Sequence, residues 1–406
     1  MQTIHERCAG LDVHKRNVVA CVRTPEGSMT RTYGTMTEQL LELLDWLLSV
    51  ECTHVAMEST GSYWKPIFNL LESEDLEILL VNSRHFKTVP GRKTDVRDAE
   101  WLAELLSHGL LRSSYVPKRD QRELRELVRY RRRLVQERVR EASRLQKVLE
   151  GANIKLGSVA SDVLGKSGRA MLRALIEGQD DPAALASLAL GKLRKKQDAL
   201  HKALRGSMGP HQRFMLAEQL SHIEELESRI DRLNEEVKQR CAPFVADIEL
   251  ADTIPGVGVR IAEDVLAEIG IDMSRFPSSR HIASWARICP GTNQSSGSIK
   301  RSSIGPGNNW LKTSLVEAAQ AAARTRGTYL SALYKRIARR RGKKRATVAV
   351  AQGNPVILYH MLKNRTPYYE LGDDYFDRLG RDHLVKATCK RLERLGYQVT
   401  LEPIAA

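Results

Sequence analysis

The chain has 406 residues, of which 64 are Lys or Arg and 49 are Asp or Glu, so its formal net charge is +15. This excess of positive charge favours a polyanionic partner, with nucleic acid first and an anionic membrane surface second. No apolar run approaches the roughly 20 residues of a membrane-spanning helix and no signal segment opens the chain, so we expect a cytoplasmic protein without membrane contact. The six cysteines form no CxxC pair, which argues against a zinc site or a disulfide framework.

The first part of the chain predicts an α/β domain with a mixed sheet. Three successive strands are expected within residues 8–33, followed by a helix at 37–49. THVAMES and LEILLVN predict two further strands with a helix between them, and another helix is expected to begin near Asp95. Strands that alternate with helices after an opening meander are typical of an α/β layer domain.

Four carboxylates of this part are placed where they can meet. Asp12 lies on the first predicted strand, Glu58 ends a central strand, and Asp95 and Asp98 share one face at the start of a helix. Converging carboxylates repel one another unless a cation neutralises them, so the set predicts a divalent metal site that acts on phosphodiesters. Taken singly, each acid also fits a surface position, and acids at a helix start interact favourably with its dipole.

Residues 118–245 predict a helical hairpin or an antiparallel coiled coil. Apolar residues recur at helical spacing in two stretches, 124–149 and 216–237, among many Arg and Glu. Such a helix pair can serve dimerisation and contact with nucleic acid, or it can be only a charged spacer.

Residues 250–280 predict a helix-hairpin-helix that turns at Gly256 and Gly258. Glycines in such a turn let backbone amides approach a phosphate, and the N-terminus of the following helix adds positive potential. A glycine-rich turn that binds no ligand is an equally good interpretation of this segment alone.

A polar loop at 286–312 contains Ser295, Ser296, Lys300 and Arg301. A serine in such surroundings can be a nucleophile toward phosphorus, because nearby cations stabilise the developing charge. Ser-Gly runs are usually simple flexible loops, so for the segment taken alone the flexible loop is the better interpretation. The basic stretch YKRIARRRGKKR and a further helix follow it.

Several motifs in this order resemble one family. GLDVHK, AMESTGSYW, KTDVRDAEWLAELL, IPGVGVRIAEDVLAEIG and PGTNQSSG are similar to the DEDD transposases of bacterial insertion sequences related to the Piv DNA invertase, a family of bridge-RNA-guided serine recombinases. The resemblance covers nearly the whole chain. It implies a RuvC-like (RNase H-like) mixed-sheet domain at 1–117, a helical coiled coil at 118–245, and a mainly α-helical C-terminal transposase domain at 246–406 with a serine loop and basic tail.

The resemblance also implies a DNA recombinase. The family's acidic tetrad maps onto the four carboxylates named above, which would bind Mg²⁺. Ser295 would attack a DNA phosphodiester, although relatives with serine directly before glycine would point to Ser296, and Lys300 and Arg301 would neutralise the scissile phosphate. The implied partners are donor and target DNA, a bridge RNA, and further copies of the chain in a dimer or tetramer.

Two other functions are compatible with these residues. One is a metal-dependent, structure-specific nuclease of the Holliday-junction type, in which the acids cut with activated water and the serine loop is inert. The other is an architectural nucleic-acid-binding protein in which no acid is catalytic.

One segment departs from the family pattern. Residues 352–355 read QGNP, where relatives often carry a histidine followed by apolar residues. Because Gly and Pro both disfavour the interior of a helix, we expect a weakened helix there.

Overall fold

The computed structural model describes residues 3–59, 61–82, 95–289, 293–295, 298–300 and 307–401, with the backbone alone for residues 95, 96, 293–295, 298–300 and 382–384. The chain divides into two units, Met1–Pro117 and Lys118–Ala406. Within the described ranges, no helix combines the length and the apolar character that crossing a bilayer requires.

A five-stranded mixed sheet with the order β3-β2-β1-β4-β5 forms the centre of the first unit. β1, β2 and β3 pair antiparallel, whereas β1, β4 and β5 run parallel. The strands are β1 (Cys8–Val13), β2 (Asn17–Thr24), β3 (Gly27–Gly34), β4 (His54–Glu58) and β5 (Glu77–Val81).

Helices cover both faces of this sheet. Helices α1 (Thr37–Ser49) and α2 (Trp64–Leu71) pack on one face against alternate residues of β1 and β2, among them Leu11 and Val18. Helix α3 (Asp95–Ser107) packs on the opposite face, against Cys8, Cys21 and other residues. A strand that is covered on both sides reads as a continuous apolar run, which explains why all six residues of β1 are buried.

Two long antiparallel helices organise the second unit. Helix α4 (Arg119–Gly151) packs along helix α9 (Pro210–Cys241), so that the start of one lies beside the end of the other. Leu134 meets Leu226 and Ile230 midway, and ion pairs link the helices on both sides of that contact. The predicted apolar seam therefore joins these two helices to each other.

Short helices connect the far ends of this pair and bury a core of their own with α4 and α9. They are α5 (Leu156–Val159), α6 (Lys166–Ile176), α7 (Pro182–Ser187) and α8 (Gln197–Ala203), with a 3₁₀ turn at Gly191–Lys196.

The rest of the second unit is mainly helical and packs against the near ends of α4 and α9. Its helices are α10 (Val245–Asp252), α11 (Val259–Ile269), α12 (Ser279–Trp285), α13 (Asn309–Ala322), α14 (Tyr329–Arg341), α15 (Lys343–Asn364), α16 (Tyr375–Leu379) and α17 (Arg381–Arg394), with 3₁₀ turns at Ala242–Phe244 and Met273–Arg275. A small antiparallel hairpin of β6 (Asn293–Ser295) and β7 (Ser298–Lys300) lies where the sequence predicted only a polar loop.

The expected weakening near residue 353 is wrong for the helix as a whole. Helix α15 runs from Lys343 to Asn364 without interruption and contains Pro355. Proline cannot donate a bond to the carbonyl one turn earlier, which costs an exposed helix about 3 kcal/mol. Val350, Ala351 and Leu358 are buried in the core around this point, and that packing holds the helix together.

Candidate active site

Asp12 and Glu58 lie side by side at the ends of two neighbouring parallel strands. Leu11 of β1 is in register with Met57 of β4, and the two acids are the next residue on each strand. Both are buried, with 6% and 7% of their surface exposed. Neighbouring strands are about 4.8 Å apart, so two carboxylates converge at this edge of the sheet.

Both acids belong to the face that α3 covers. Cys8 and Ala56 pack against Leu102 and its neighbours on α3. Because side chains alternate along a strand, Asp12, four residues beyond Cys8, and Glu58, two beyond Ala56, face the same side.

The direction of α3 brings its first turn level with Asp12. Gly10 lies so close to α3 that a Cβ atom would come within 2.4 Å of the Ala99 carbonyl oxygen and the Ala103 amide nitrogen. The Cys8 thiol donates to the Ala103 carbonyl at 3.6 Å, so α3 runs antiparallel to β1. Two strand residues span about 6.6 Å, which corresponds to about four helix residues. Gly10 lies beside Ala99 and Ala103, so Asp12, two residues further along β1, is level with helix residues about four positions earlier, in the first turn of α3.

That beginning holds the other two predicted acids. Asp95 is the first residue of α3, and Asp98 is half-buried one turn before Leu102. The side chain of Asp95 lies outside the described part. Among the side chains that are described, no three His, Cys, Asp or Glu lie close enough together to hold a metal ion. The structure thus brings Asp12 and Glu58 together and places the first turn of α3 at their level.

His14, which was not among the site residues predicted from the sequence, contacts Asp12. Its Nε2 atom lies 2.9 Å from Asp12 Oδ2. The position of His14 two residues after Asp12, at the end of a predicted strand, was the signal in the sequence that could have found it. Oxygen ligands from buried carboxylates suit a hard divalent cation, so Asp12 and Glu58 fit such an ion by chemistry and by burial.

Ser295, the first of the two candidate serines, lies in the small hairpin. Ser295 ends β6 and pairs with Ser298 at the start of β7. Lys300 pairs with Asn293 at the other end of the hairpin. Ser296 and Arg301 lie outside the described residues.

Gly256 has a packing role in the hairpin between α10 and α11. Its φ is +87°, and a Cβ atom would lie 2.4 Å from both the Ala318 carbonyl oxygen and the Ala322 amide nitrogen of α13. Only glycine permits both this backbone conformation and this approach. Gly258 is the N-cap residue of α11, and a Cβ atom there would have no neighbour within 4 Å. Contact of Gly258 with a phosphate remains a prediction.

A buried carboxylate anchors the chain that leaves the serine hairpin. Glu268, 1% exposed, accepts two hydrogen bonds from Arg129 of α4 at 2.7 and 2.8 Å. The same carboxylate accepts a bond from Asn308 Nδ2 at 2.6 Å. Asn308 in turn caps α13 by accepting from the backbone amides of Trp310 and Leu311. The start of the helix that follows the hairpin is therefore tied to α4 through this carboxylate. Arg132 of α4 holds the same helix further along, through Ser314 at 2.6 Å and Glu317 at 2.6 Å.

A second ion-pair group joins α4 to α11, the helix that carries Glu268. Arg131 donates to Glu263 at 2.6 Å and to Asp264 at 2.8 Å. Burial raises the pKa of Asp264 although Arg131 opposes this effect, and the same acids outweigh burial to raise the pKa of Arg131. Neither group could be predicted from the sequence, because their arginine–acid pairs join residues more than 130 positions apart.

Comparisons with known proteins identify the family. A DEDD-type profile of the IS110 group, described as "Transposase", matches residues 9–154. A second profile, described as "Transposase IS116/IS110/IS902 family", matches residues 248–335. Together these matches cover more than half of the chain. The chain belongs to the IS110/IS116/IS902 transposase family. It is an enzyme of the DNA transposase and recombinase class.

Curated relatives of this transposase align over most of its length. A "Probable family 20 transposase" of Pseudomonas aeruginosa is 27% identical over 77% of this chain and 85% of its own length. The "Transposase for insertion sequence element IS1111A" of Coxiella burnetii is 26% identical over 79% of this chain and 80% of its own. The "Pilin gene-inverting protein" of Moraxella lacunata is 24% identical over 88% and 96%. The DEDD type of the first profile suggests a divalent metal ion.

Proposed function

We propose that this insertion-sequence transposase cuts and rejoins DNA with an acidic metal site in its first unit and a serine nucleophile in its second. The observation that carries the proposal is the placement of two buried carboxylates, Asp12 and Glu58, at adjacent strand ends. Burying two negative charges side by side is costly unless cations neutralise them.

Asp12, Glu58, Asp95 and Asp98 are the proposed ligands, and Mg²⁺ is the proposed ion. A divalent cation bound there would supply positive charge to a phosphodiester oxygen. His14, which contacts Asp12 at 2.9 Å, orients that carboxylate within the site.

Ser295 is the proposed nucleophile. Its Oγ atom attacks the phosphorus of a DNA phosphodiester, the P–O3′ bond breaks, and the proton lost from the serine ends on the departing 3′ oxygen. The products are a 5′-phosphoserine ester and a free 3′ hydroxyl. Attack of that hydroxyl on a second such ester forms a new P–O3′ bond, breaks the P–Oγ bond and returns the proton to the departing serine oxygen. Lys300 and Arg301 are proposed to offset the charge of the phosphate under attack.

Finer assignments also belong to the proposal. They comprise a RuvC-like domain at 1–117, a coiled coil at 118–245 and a transposase domain at 246–406 with a helix-hairpin-helix. A bridge RNA that selects the sites, and assembly as a dimer or tetramer, rest on the family resemblance. In such a division of labour the protein reads backbone and shape while base pairing reads sequence.

A covalent adduct tests the nucleophile. Incubating the protein with labelled element-end DNA and Mg²⁺, then denaturing, should retain label on the wild-type protein and on Ser296→Ala, but not on Ser295→Ala. Only a serine ester survives denaturation, because metal-activated water leaves no bond to the protein.

Other outcomes correct the proposal in defined ways. An adduct lost only in Ser296→Ala would transfer the nucleophile to that residue. Cut DNA with no adduct in any variant would contradict the serine mechanism and establish the metal-dependent nuclease instead.

A further inference from the structure

The corner between α14 and α15 carries a dense group of exposed cations, here called the α14–α15 basic surface. Its members are Lys335, Arg336, Arg339, Arg340, Arg341, Lys343, Lys344 and Arg345. The chain has no Asp or Glu between Glu317 and Glu370. Within the described residues, no acidic side chain forms an ion pair with any of these eight. Seven of them lie beyond residue 335, where the second family match ends.

Helix formation accounts for only part of this arrangement. Arg339, Arg340 and Arg341 lie in the last turn of α14, where the helix dipole favours positive charge. Gly342, with φ +82°, ends α14 and starts α15, which puts Lys343, Lys344 and Arg345 in the first turn of a 22-residue helix. Positive side chains there oppose the helix dipole, whose positive end is at the N-terminus. Such a conflict between local preference and sequence is typical of functional surfaces.

An acidic segment, residues 373–377 with Asp373, Asp374 and Asp377, lies at the edge of this surface. Helix α16 packs on α14 through the ring of Tyr329, which contacts Tyr375 at 5.1 Å and Phe376 at 5.4 Å between centroids. The guanidinium of Arg336 lies 4.9 Å from the centre of the Phe376 ring.

A cleft of about 440 Å³ separates the two elements. Four cations of the basic surface line it, and two acids of the segment stand among them. These lining residues are Lys335, Arg336, Arg339, Arg340, Asp373 and Asp377. A polyanion that follows the basic surface must therefore come close to Asp373 and Asp377, which repel it.

We propose that the α14–α15 basic surface binds the phosphate backbone of duplex DNA, and that Asp373 and Asp377 weaken this binding. The run from Lys335 to Arg345 contains no aromatic residue, so it offers phosphate contacts without the stacking that single strands need. The inference deepens the proposed function by assigning DNA contact to a surface outside the serine hairpin, and it rests on that proposal only in taking DNA as the substrate.

The salt dependence of binding tests the basic surface. Affinity of the full chain for a 30-base-pair duplex of arbitrary sequence is measured without Mg²⁺ across a salt series. Log affinity falls as log salt rises, and each phosphate contact contributes about 0.9 to the steepness of this fall. Arg339→Gln with Arg340→Gln should therefore reduce the magnitude of the slope by about 1.8. The matched control is Arg194→Gln with Lys195→Gln, which removes the same charge from the exposed 3₁₀ turn at Gly191–Lys196 and should leave the slope near wild type.

Removing the acids should have the opposite effect. Asp373→Asn with Asp377→Asn is expected to raise duplex affinity several-fold at 0.1 M salt. Asp374→Asn is the control within the same segment, because Asp374 pairs with Arg378 at 3.2 Å and does not line the cleft.

Equal loss of slope in the two double-cation variants would show that net charge alone matters and would overturn the inference. A loss of slope seen only with duplex RNA would assign the surface to RNA and overturn it too. Because this binding assay involves no strand cutting, its failure is distinct from the failure of the serine adduct test.

Discussion

Replacing Asp12 by Asn is expected to lower the rate of adduct formation by about 10²- to 10³-fold, the range found when one group that stabilises transition-state charge is removed. Asparagine keeps the volume of the side chain and can still accept the hydrogen bond from His14. The loss therefore isolates the negative charge that the proposed cation requires. Glu58→Gln makes the same change at the neighbouring strand end and should have an effect of similar size. Single-turnover adduct formation at saturating Mg²⁺ is the measurement.

The same sheet supplies a matched control for these substitutions. Glu77 on β5 is also a strand acid paired with a histidine, since His54 Nε2 lies 3.1 Å from its carboxylate, but its side chain is 71% exposed. Glu77→Gln should leave the rate unchanged. Comparable rates for Asp12→Asn, Glu58→Gln and the wild type, in protein of unchanged thermal stability, would refute a role for the strand-end acids.

Glu268→Gln is expected to slow adduct formation by about 100-fold, the effect that a misplacement of about 1 Å can produce from outside the chemistry. Glu268 receives bonds from Arg129 and Asn308 through both carboxylate oxygens. A glutamine has one acceptor oxygen, so one of these donors loses its partner in a buried place. If Asn308 is released, the start of α13 next to the serine hairpin loses its bond to this carboxylate, and only Arg132 still holds the helix to α4, through Ser314 and Glu317. The measurement combines the adduct rate with the melting temperature.

Glu263→Gln separates positioning from stability. Glu263 pairs with Arg131 at 2.6 Å between the same two helices and is similarly buried, but Asn308 bonds to Glu268. Breaking either buried pair should lower the free energy of unfolding by about 3 kcal/mol. We expect the adduct rate to remain near wild type in Glu263→Gln when both proteins are assayed below their melting transitions.

A reversed hydrogen bond provides the rescue. In Glu268→Gln with Asn308→Asp, the glutamine amide can donate to the aspartate, and aspartate caps a helix as well as asparagine does. Partial recovery of the adduct rate is expected in this double variant. Adduct rates that follow stability alone in both single variants, without recovery, would contradict a positioning role for Glu268.

The sequence predicted local features of the fold well. The strands around Asp12 and Glu58 and the helix at Thr37–Ser49 follow from periodicity and turn residues, and the structure has them at nearly those positions. The antiparallel pairing of α4 and α9 follows from apolar residues at helical spacing. These features depend on neighbours in the chain, which a sequence displays directly.

Features that depend on tertiary contacts were not predictable in the same way. The packing role of Gly256 follows from its contact with Ala318 and Ala322, and the sequence around the glycine does not indicate that contact. Pro355 stays within a helix because its surroundings are buried, and Glu268 acquires its role from Arg129, 139 residues away. For the candidate site, the placement of Asp12 and Glu58 at neighbouring strand ends was predictable, because parallel strands bring their carboxyl ends to one edge.

Anomalous scattering from Mn²⁺ is the most direct test of the central claim, that the strand-end acids and the first turn of α3 hold a divalent cation. Crystals of the protein grown with Mn²⁺ should show an anomalous peak about 2 Å from carboxylate oxygens of both Asp12 and Glu58. The same crystals of Asp12→Asn should lack it. An edge of the sheet with no peak at saturating Mn²⁺, and with the Asp12 and Glu58 carboxylates turned apart into water, would contradict the account.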